Sequence, residues 1–449
     1  MINIKEMMNE NPIPMKITII GTGYVGLVSG ACFAELGNEV MCLDINPKII
    51  SQLKKAKVSF FEPGLQKLVQ KNIKKKTLKF TTSYATGCKN NIFFICVDTP
   101  DNGFGSPDLK SLNSVLRMLQ KKITRDAVLV LKSTLPLGTN NRIVKSMSKH
   151  FLLKNIIVDV CSNPEFLKEG SAIKDFMQPD RIILGTPSES SKALLTKLYA
   201  PLKSKSTQLF HMSVESAELT KYASNAFLAT KISFMNEVAL IAEKSGGNIH
   251  EVREGMGADS RIGPDFLNAG LGFGGSCFSK DMKALINFEK KNKIKNSIIE
   301  NALKINQNQV KLFIKKIRST FGSNLKDKSF VIWGLSFKPN TDDTRDSVAI
   351  ELIKLIAPSV KSLYLFDPKV KKDSLSKLKK YPNITFLNSQ YENFNLANGL
   401  IICTEWNDFK DPKINKLAKL QDRVIFDGRN ILDSQLMYEN NFSYIGIGL

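Results

Sequence analysis

The densest chemistry in this 449-residue chain lies in ten residues, Gly272-Phe273-Gly274-Gly275-Ser276-Cys277-Phe278-Ser279-Lys280-Asp281. Three glycines within four residues bare the backbone, so a ligand can approach it closely. A cysteine follows where the glycine run ends, and a carboxylate stands four residues beyond it. A helix starting near Ser276 would turn its positive end toward Cys277 and favour the thiolate, the nucleophilic form. Asp281, one turn on, would share the face of Cys277. Taken alone, the ten residues read equally well as a tight turn around a buried structural cysteine.

A second constellation stands near the start. Residues 16–20 have the pattern of a buried strand and run into Gly21-Thr22-Gly23-Tyr24-Val25-Gly26, then an apolar helix to about Leu36. A second strand over 39–43 ends at Asp44, eighteen residues after Gly26. This is the dinucleotide fingerprint in its full context. Gly21 permits the turn, Gly23 lets a pyrophosphate reach the helix N-terminus, and Gly26 lets helix and strand pack. An acid at the Asp44 position bonds a ribose diol and disfavours a 2′-phosphate, which selects NAD over NADP.

The elements that must position these groups follow in alternation. Short apolar strands at 91–97, 127–131, 155–161 and 181–184 alternate with helical stretches, which predicts a mostly parallel sheet covered on both faces. Three of these strands run into polar clusters, Asp98-Thr99-Pro100, Ser133-Thr134-Leu135-Pro136 and the stretch 162–170. Beyond the carboxyl ends of parallel strands, all three would face one crevice with the cofactor. Residues 213–244 form one long helical pattern carrying Lys221 and Asn225 an i,i+4 step apart. Apolar neighbours favour a partly buried polar pair over a solvated face, and the length suits a domain connector or a dimer seam. The last third begins a second α/β unit, with strands at 328–333, 362–366, 399–403 and 423–426. It lacks the dinucleotide glycines, so a different nucleotide would lie there.

The expected fold class is therefore α/β, with two Rossmann-like doubly wound parallel-sheet domains joined by a long central helix and a helical middle region. Expected boundaries are an extension over 1–14, an NAD-binding domain over 15–210, a central region over 211–322 holding the cysteine loop, and a nucleotide-binding α/β domain over 323–449.

Composition narrows the classes. Apolar residues make up 43% of the chain, enough for real cores, and no run reaches the ~18 apolar residues of a membrane span. The first fourteen residues lack the apolar centre of a signal peptide. Seven scattered cysteines with no Cys-x-x-Cys pair argue against a disulfide framework or a zinc site and for a reducing cytoplasm. Three histidines make His-based metal or triad chemistry improbable, and no metal is expected. The net charge of +22 is spread along the chain without a nucleic-acid motif, so it suits phosphorylated small molecules rather than DNA or RNA.

Read end to end, the chain resembles the UDP-glucose/GDP-mannose dehydrogenase family, most closely its UDP-glucose-oxidising branch. The resemblance rests on GTGYVG, FEPGL (61–65), STLPLGT (133–139), SNPEFLKEG (162–170), KYASNAF (221–227), DSRIGPDFLNAGLGFGGSCFSKD (259–281), GLSFKPNTDDTRDS (334–347) and DGRN (427–430). It implies a four-electron oxidation of the sugar C6 alcohol to a carboxylate with NAD, giving UDP-glucuronate. After the first hydride leaves, an aldehyde has none to give until a nucleophile adds. The resemblance assigns that addition to Cys277, through a thiohemiacetal and then a thioester.

By the same resemblance, Lys221 and Asn225 would hold the oxyanion, while Asp281, Thr134 and Glu165 would position water and move protons. The cofactor would meet Gly21, Gly23, Tyr24, Val25, Gly26, Asp44, Lys48, Thr99, Pro100, Ser133 and Thr134. Glu169 and Lys280 would border the nicotinamide, and Arg345 would approach it from the C-terminal domain. UDP-glucose would be held by Glu165, Phe166, Leu167, Lys168 and Glu169, by Lys221 and Asn225, and by Phe266, Leu267, Asn268, Gly270, Phe273, Gly274, Phe337 and Lys338. Arg261 would reach the site of a neighbouring subunit, implying a homodimer or larger homo-oligomer.

Three departures from the family pattern stand out. Lys48 lies four residues past Asp44 where many relatives have their basic residue five past, a position held here by Ile49. Asp98 replaces a small or amide residue and adds a negative charge near the pyrophosphate. Ser279 replaces a common proline. Within the family, the segment 261–267 favours UDP-glucose over GDP-mannose, and Glu-Phe-Leu-Lys-Glu at 165–169 favours it over UDP-N-acetylmannosamine. A catalytically silent sensor on the same fold would have lost Cys277, Lys221 or Asp281. A two-electron hydroxyacid or acyl-CoA dehydrogenase would need neither this cysteine nor a second nucleotide domain.

Overall fold

The structure, a computed structural model, describes residues 14–100, 107–204 and 206–449. It divides between Lys221 and Tyr222 into two compact units, each with its own parallel sheet.

The first unit holds β1 (Lys16–Ile20), β2 (Glu39–Leu43), β3 (Leu78–Thr81), β4 (Ile92–Ile95), β5 (Ala127–Leu131), β6 (Val158–Ser162), β7 (Arg181–Gly185) and β8 (Gln208–Met212). Their spatial order is β3-β2-β1-β4-β5-β6-β7-β8. All pairings run parallel except β6 with β7, which meet antiparallel at Ser162 and Gly185. The central strands are apolar on both faces because both are covered; every residue of β4 is buried. Two apolar clusters result, one around Phe33, Phe94 and Leu195 and one around Phe93, Leu129 and Phe151. The strand order reverses between β1 and β4, which opens a crevice at their carboxyl ends.

The second unit carries β9 (Ser329–Trp333), β10 (Ser362–Phe366), β11 (Ile384–Phe386), β12 (Gly399–Ile402), β13 (Val424–Asp427) and β14 (Ser443–Ile445), ordered β11-β10-β9-β12-β13-β14 and parallel throughout. Trp333 is fully buried and stacks on Phe409, with ring centroids 4.9 Å apart. In place of a dinucleotide turn, Gly334 (φ +90°) opens a turn pinned by Asp367, which accepts from Leu335 N at 2.8 Å and Ser336 N at 3.1 Å. The same device recurs in the first unit, where Asp44 accepts from Thr22 N at 2.8 Å.

The helix Val214–Ser245 runs 32 residues across the division. No Gly or Pro interrupts it, and it stops at Gly246-Gly247. The helix Phe278–Lys291 carries the cysteine loop, and the helix Ile298–Phe321 packs against it. The fold class expected from the sequence is the one observed. The strands β3, β8, β11 and β14 go beyond it; they are short outer strands, and β8 is largely exposed, so their apolar signal is weak.

Candidate active site

The glycine turn in the first unit is built for a pyrophosphate. Gly21 has φ +94°, and a Cβ there would meet Cys96 O at 2.7 Å. A Cβ on Gly26 would overlap the Gly21 carbonyl, so helix and turn touch directly. A Cβ on Gly23 would meet only Asp98 Oδ1 within 4 Å, and the 12-residue helix Tyr24–Glu35 starts there with no side-chain cap on its N–H groups. Uncapped donors, a positive helix end and a bare backbone together fit the NAD pyrophosphate. Tyr24 and Val25 stand half-buried in its first turn. Asp44 is half-buried at the end of β2; beyond Thr22 it accepts from Asn46 N at 2.9 Å. Lys48 is exposed in the first turn of the next helix.

The Asp98 carboxylate lies over the same turn, its Oδ1 3.5 Å from where a Gly23 Cβ would be. Beyond β4 and β5, Thr99 Oγ1 donates to Thr134 O at 2.9 Å and Ser133 Oγ to Val97 O at 2.6 Å, so two of the three strand-end clusters are tied together, with Pro100 exposed beside them.

The third cluster is anchored by Glu62, the acid of FEPGL. This buried carboxylate accepts from Gly170 N at 2.7 Å and Ala172 N at 2.8 Å and bonds the Tyr24 hydroxyl. Burial, Glu62 and Glu169 together keep that hydroxyl protonated. Lys168 is tied to Asp175 at 3.1 Å.

Glu165 and Lys221 form a buried ion pair, Nζ to Oε1 3.0 Å, with 10% and 7% of their side chains exposed. Leu167 N donates to the other Glu165 oxygen at 2.7 Å. Burial pushes the Glu165 pKa up, but Lys221, the Leu167 N–H and Lys132 outweigh it, and the carboxyl sits below its usual range. The Phe166 ring lies between two cations, 4.3 Å from the Arg181 guanidinium and 5.2 Å from Lys221.

In the second unit Cys277 is exposed and is the N-cap of the 14-residue helix Phe278–Lys291, with no side-chain cap bond. The buried-cysteine reading therefore falls. By contrast, Cys32, Cys42, Cys96, Cys161 and Cys403 are buried, and burial pushes the Cys96 thiol up to about 12. One turn on, Asp281 is buried at 1% side-chain exposure and takes Asn225 Nδ2 at 2.6 Å on one oxygen and Lys280 Nζ at 3.1 Å on the other.

The preceding loop needs its glycines. Gly272 has φ +99° and a Cβ there would meet Asn306 at 2.5 Å; a Cβ on Gly274 would meet Asp346 O at 2.4 Å, and one on Gly275 the Phe337 ring at 2.7 Å. Gly270 N is held by Asn236 Oδ1 at 2.8 Å, and Phe273 is bracketed by Asn306, which accepts from its N–H at 2.8 Å and donates to its carbonyl at 3.0 Å.

Other expected residues of this unit sit at its surface, apart from Leu267. Asn268 accepts from Arg253 at 2.8 Å, Phe266 has φ +63°, and buried Leu267 packs in the core. The Lys338 ammonium lies 5.5 Å over the Phe337 ring. Arg345 and Arg261 fold onto Asp343 and Asp259 respectively, each through an N–H···O contact of 2.6 Å.

Several supporting residues escape a reading of the sequence. Arg429 of DGRN donates to Gly272 O at 3.0 Å and Cys403 O at 2.8 Å, tying the loop to the end of β12. Lys132 is buried and donates to Asn163 Oδ1 at 3.0 Å. Asn306 and Gln309, polar residues three apart on the buried face of an amphipathic helix, were the available signal.

The chain matches the family descriptions for the UDP-glucose/GDP-mannose dehydrogenase NAD-binding domain over 15–203, central domain over 215–308 and UDP-binding domain over 331–434. It is 39% identical over 436 residues to a UDP-glucose 6-dehydrogenase of Rickettsia prowazekii, covering 97% of this chain and 99% of the relative. A Bacillus subtilis UDP-glucose 6-dehydrogenase is 38% identical, covering 97% and 98%. Among solved structures, a UDP-glucose dehydrogenase from Pyrobaculum islandicum superposes with a TM-score of 0.90 at 32% identity, covering 98% and 99%. A UDP-N-acetylmannosamine dehydrogenase from Pyrococcus horikoshii gives 0.85 at 26%, covering 97% and 99%. The chain belongs to the UDP-glucose/GDP-mannose dehydrogenase family, and it is an NAD-dependent sugar-nucleotide dehydrogenase.

Proposed function

We propose that the chain oxidises the C6 alcohol of UDP-glucose to the carboxylate, giving UDP-glucuronate, with Cys277 as the covalent nucleophile. The observation that carries this reading is the exposed Cys277 at an uncapped helix N-terminus, one turn before a buried Asp281. A helix end of this kind favours the thiolate and an oxyanion formed on the adjacent carbon.

NAD, when bound, accepts one hydride in each oxidation. The alcohol first loses a hydride and its hydroxyl proton to become the aldehyde. The Cys277 sulfur then adds to that carbon, and the resulting oxyanion is matched by the Lys221 ammonium and the Asn225 amide. Loss of the second hydride leaves a thioester. Water, deprotonated with help from Asp281, Thr134 and Glu165, displaces the sulfur and releases the carboxylate, restoring the thiolate.

Support for glucose as the sugar comes from the curated relatives, named UDP-glucose 6-dehydrogenases at 36–39% identity over 97% of the chain, and from the segment 261–267. The remaining cofactor and substrate contacts are those the family pattern assigns, with Arg261 serving a neighbouring subunit. Homodimerisation is supported by the long helix, where Phe227, Phe234 and Ile241, seven residues apart, are 66%, 49% and 59% exposed. Among the described residues no helix is long and apolar enough to cross a membrane. Work in a reducing cytoplasm suits a reaction that depends on a thiolate.

The deciding experiment measures NADH formed per UDP-glucose consumed with NAD in excess. A ratio near two is expected. A ratio near one would mean the aldehyde escapes and the thioester half is wrong. No NADH from UDP-glucose, but two per GDP-mannose or per UDP-N-acetylmannosamine, would keep the chemistry and move the substrate.

A further inference from the structure

Beside the loop that carries Glu165, the first unit holds a half-open cavity of about 320 Å³. Its wall includes Lys132, Lys174, Arg181 and Asp180 together with Glu165 and Phe166.

Lys132 is 4% exposed, and among the described residues its ammonium has one hydrogen-bond partner, Asn163 Oδ1 at 3.0 Å. That oxygen also receives the buried Tyr199 hydroxyl at 2.5 Å, so it has no further capacity to offer. Two of the three ammonium donors are thus left over in a buried site, an arrangement that is costly without a counter-charge. The carboxylates in the wall are largely committed elsewhere. Glu165 is held by Lys221 at 3.0 Å and Asp175 by Lys168 at 3.1 Å. Burial draws the Lys132 pKa down, while Glu165 and the Cys96 thiol act in the opposite sense and Lys221 adds to the fall.

We propose that this cavity is a binding site for a small oxyanion, a phosphate or carboxylate, seated on the Lys132 ammonium with Lys174 and Arg181 at its side. Glu165 and Phe166 form part of the same wall, so occupancy reaches the loop 162–170 without competing for the cofactor turn.

The test is calorimetric titration of the full chain with inorganic phosphate and, separately, with malonate, in the presence of saturating NADH and UDP to occupy other anion sites. Binding of either probe is expected, and the one that binds tells whether the source is phosphate or carboxylate. Lys132→Met should weaken it at least tenfold and Lys174→Glu several-fold. No binding of either probe to the wild type, or wild-type affinity in Lys132→Met, would overturn the proposal. Should Lys132→Met fail to fold, unchanged affinity in both Lys174→Glu and Arg181→Gln would overturn it equally, and weakened affinity would sustain it.

Discussion

Lys221 Nζ lies 3.0 Å from Glu165 Oε1 in a pair that is nearly removed from solvent. Breaking such a pair from one side leaves an uncompensated buried charge. Lys221→Met should therefore lower stability by about 3–5 kcal/mol, read as a drop in the urea midpoint. Glu165→Gln, which leaves the Lys221 ammonium buried without its counter-charge, should cost a comparable amount. A loss below ~1 kcal/mol in Lys221→Met would show that water reaches the pair.

The same pair sets an acid limit. The folded pKa of Glu165 is below its unfolded value, so its stabilisation is complete above about pH 4.3 and is lost as pH falls through the lower folded value. Wild type should lose stability in that acid range, whereas Glu165→Gln should show a shallower slope in pH-dependent urea titrations.

Glu218 behaves with the opposite sign. It accepts from Gly138 N at 2.6 Å, the N-cap of the helix Thr139–Leu152, yet burial raises its pKa to about 7. A raised carboxyl pKa stabilises fully below about pH 4.3, and this contribution is lost as pH rises through 7. Glu218→Gln should flatten a decline on the order of 3–4 kcal/mol between those limits. Identical pH profiles for variant and wild type would refute the assignment.

Cys277→Ala should abolish formation of UDP-glucuronate from UDP-glucose while NAD and UDP-glucose still bind with unchanged affinity. Turnover comparable to wild type would remove the covalent step.

Asp98 sets a negative charge beside Gly23, where the cofactor pyrophosphate is expected. Removing one like charge at an exposed site is worth about 1 kcal/mol, or about fivefold in Kd. Asp98→Asn should tighten NAD binding by that factor in a fluorescence titration, more so at low salt. Equal or weaker binding would mean that Asp98 faces away from the phosphates.

The cofactor turn was legible in the sequence because its determinants are local. Gly21, Gly23, Gly26 and Asp44 fall within one strand–turn–helix–strand unit, and the spacing itself imposes the geometry. Strand periodicity likewise revealed both parallel sheets, since buried strands must be apolar whatever they pair with. Cysteine and acid four apart marked the helix start at Cys277, although the exposure of the cysteine was undecided between two readings.

What only the tertiary structure decided are the partners brought together from distant positions. Glu62 meets Tyr24 and Gly170, 38 and 108 residues away; Asn306 brackets Phe273 across 33; Lys132 reaches Asn163 across 31. No local period encodes such choices. A buried polar group must find a partner, but which one it finds depends on how the sheets and helices pack.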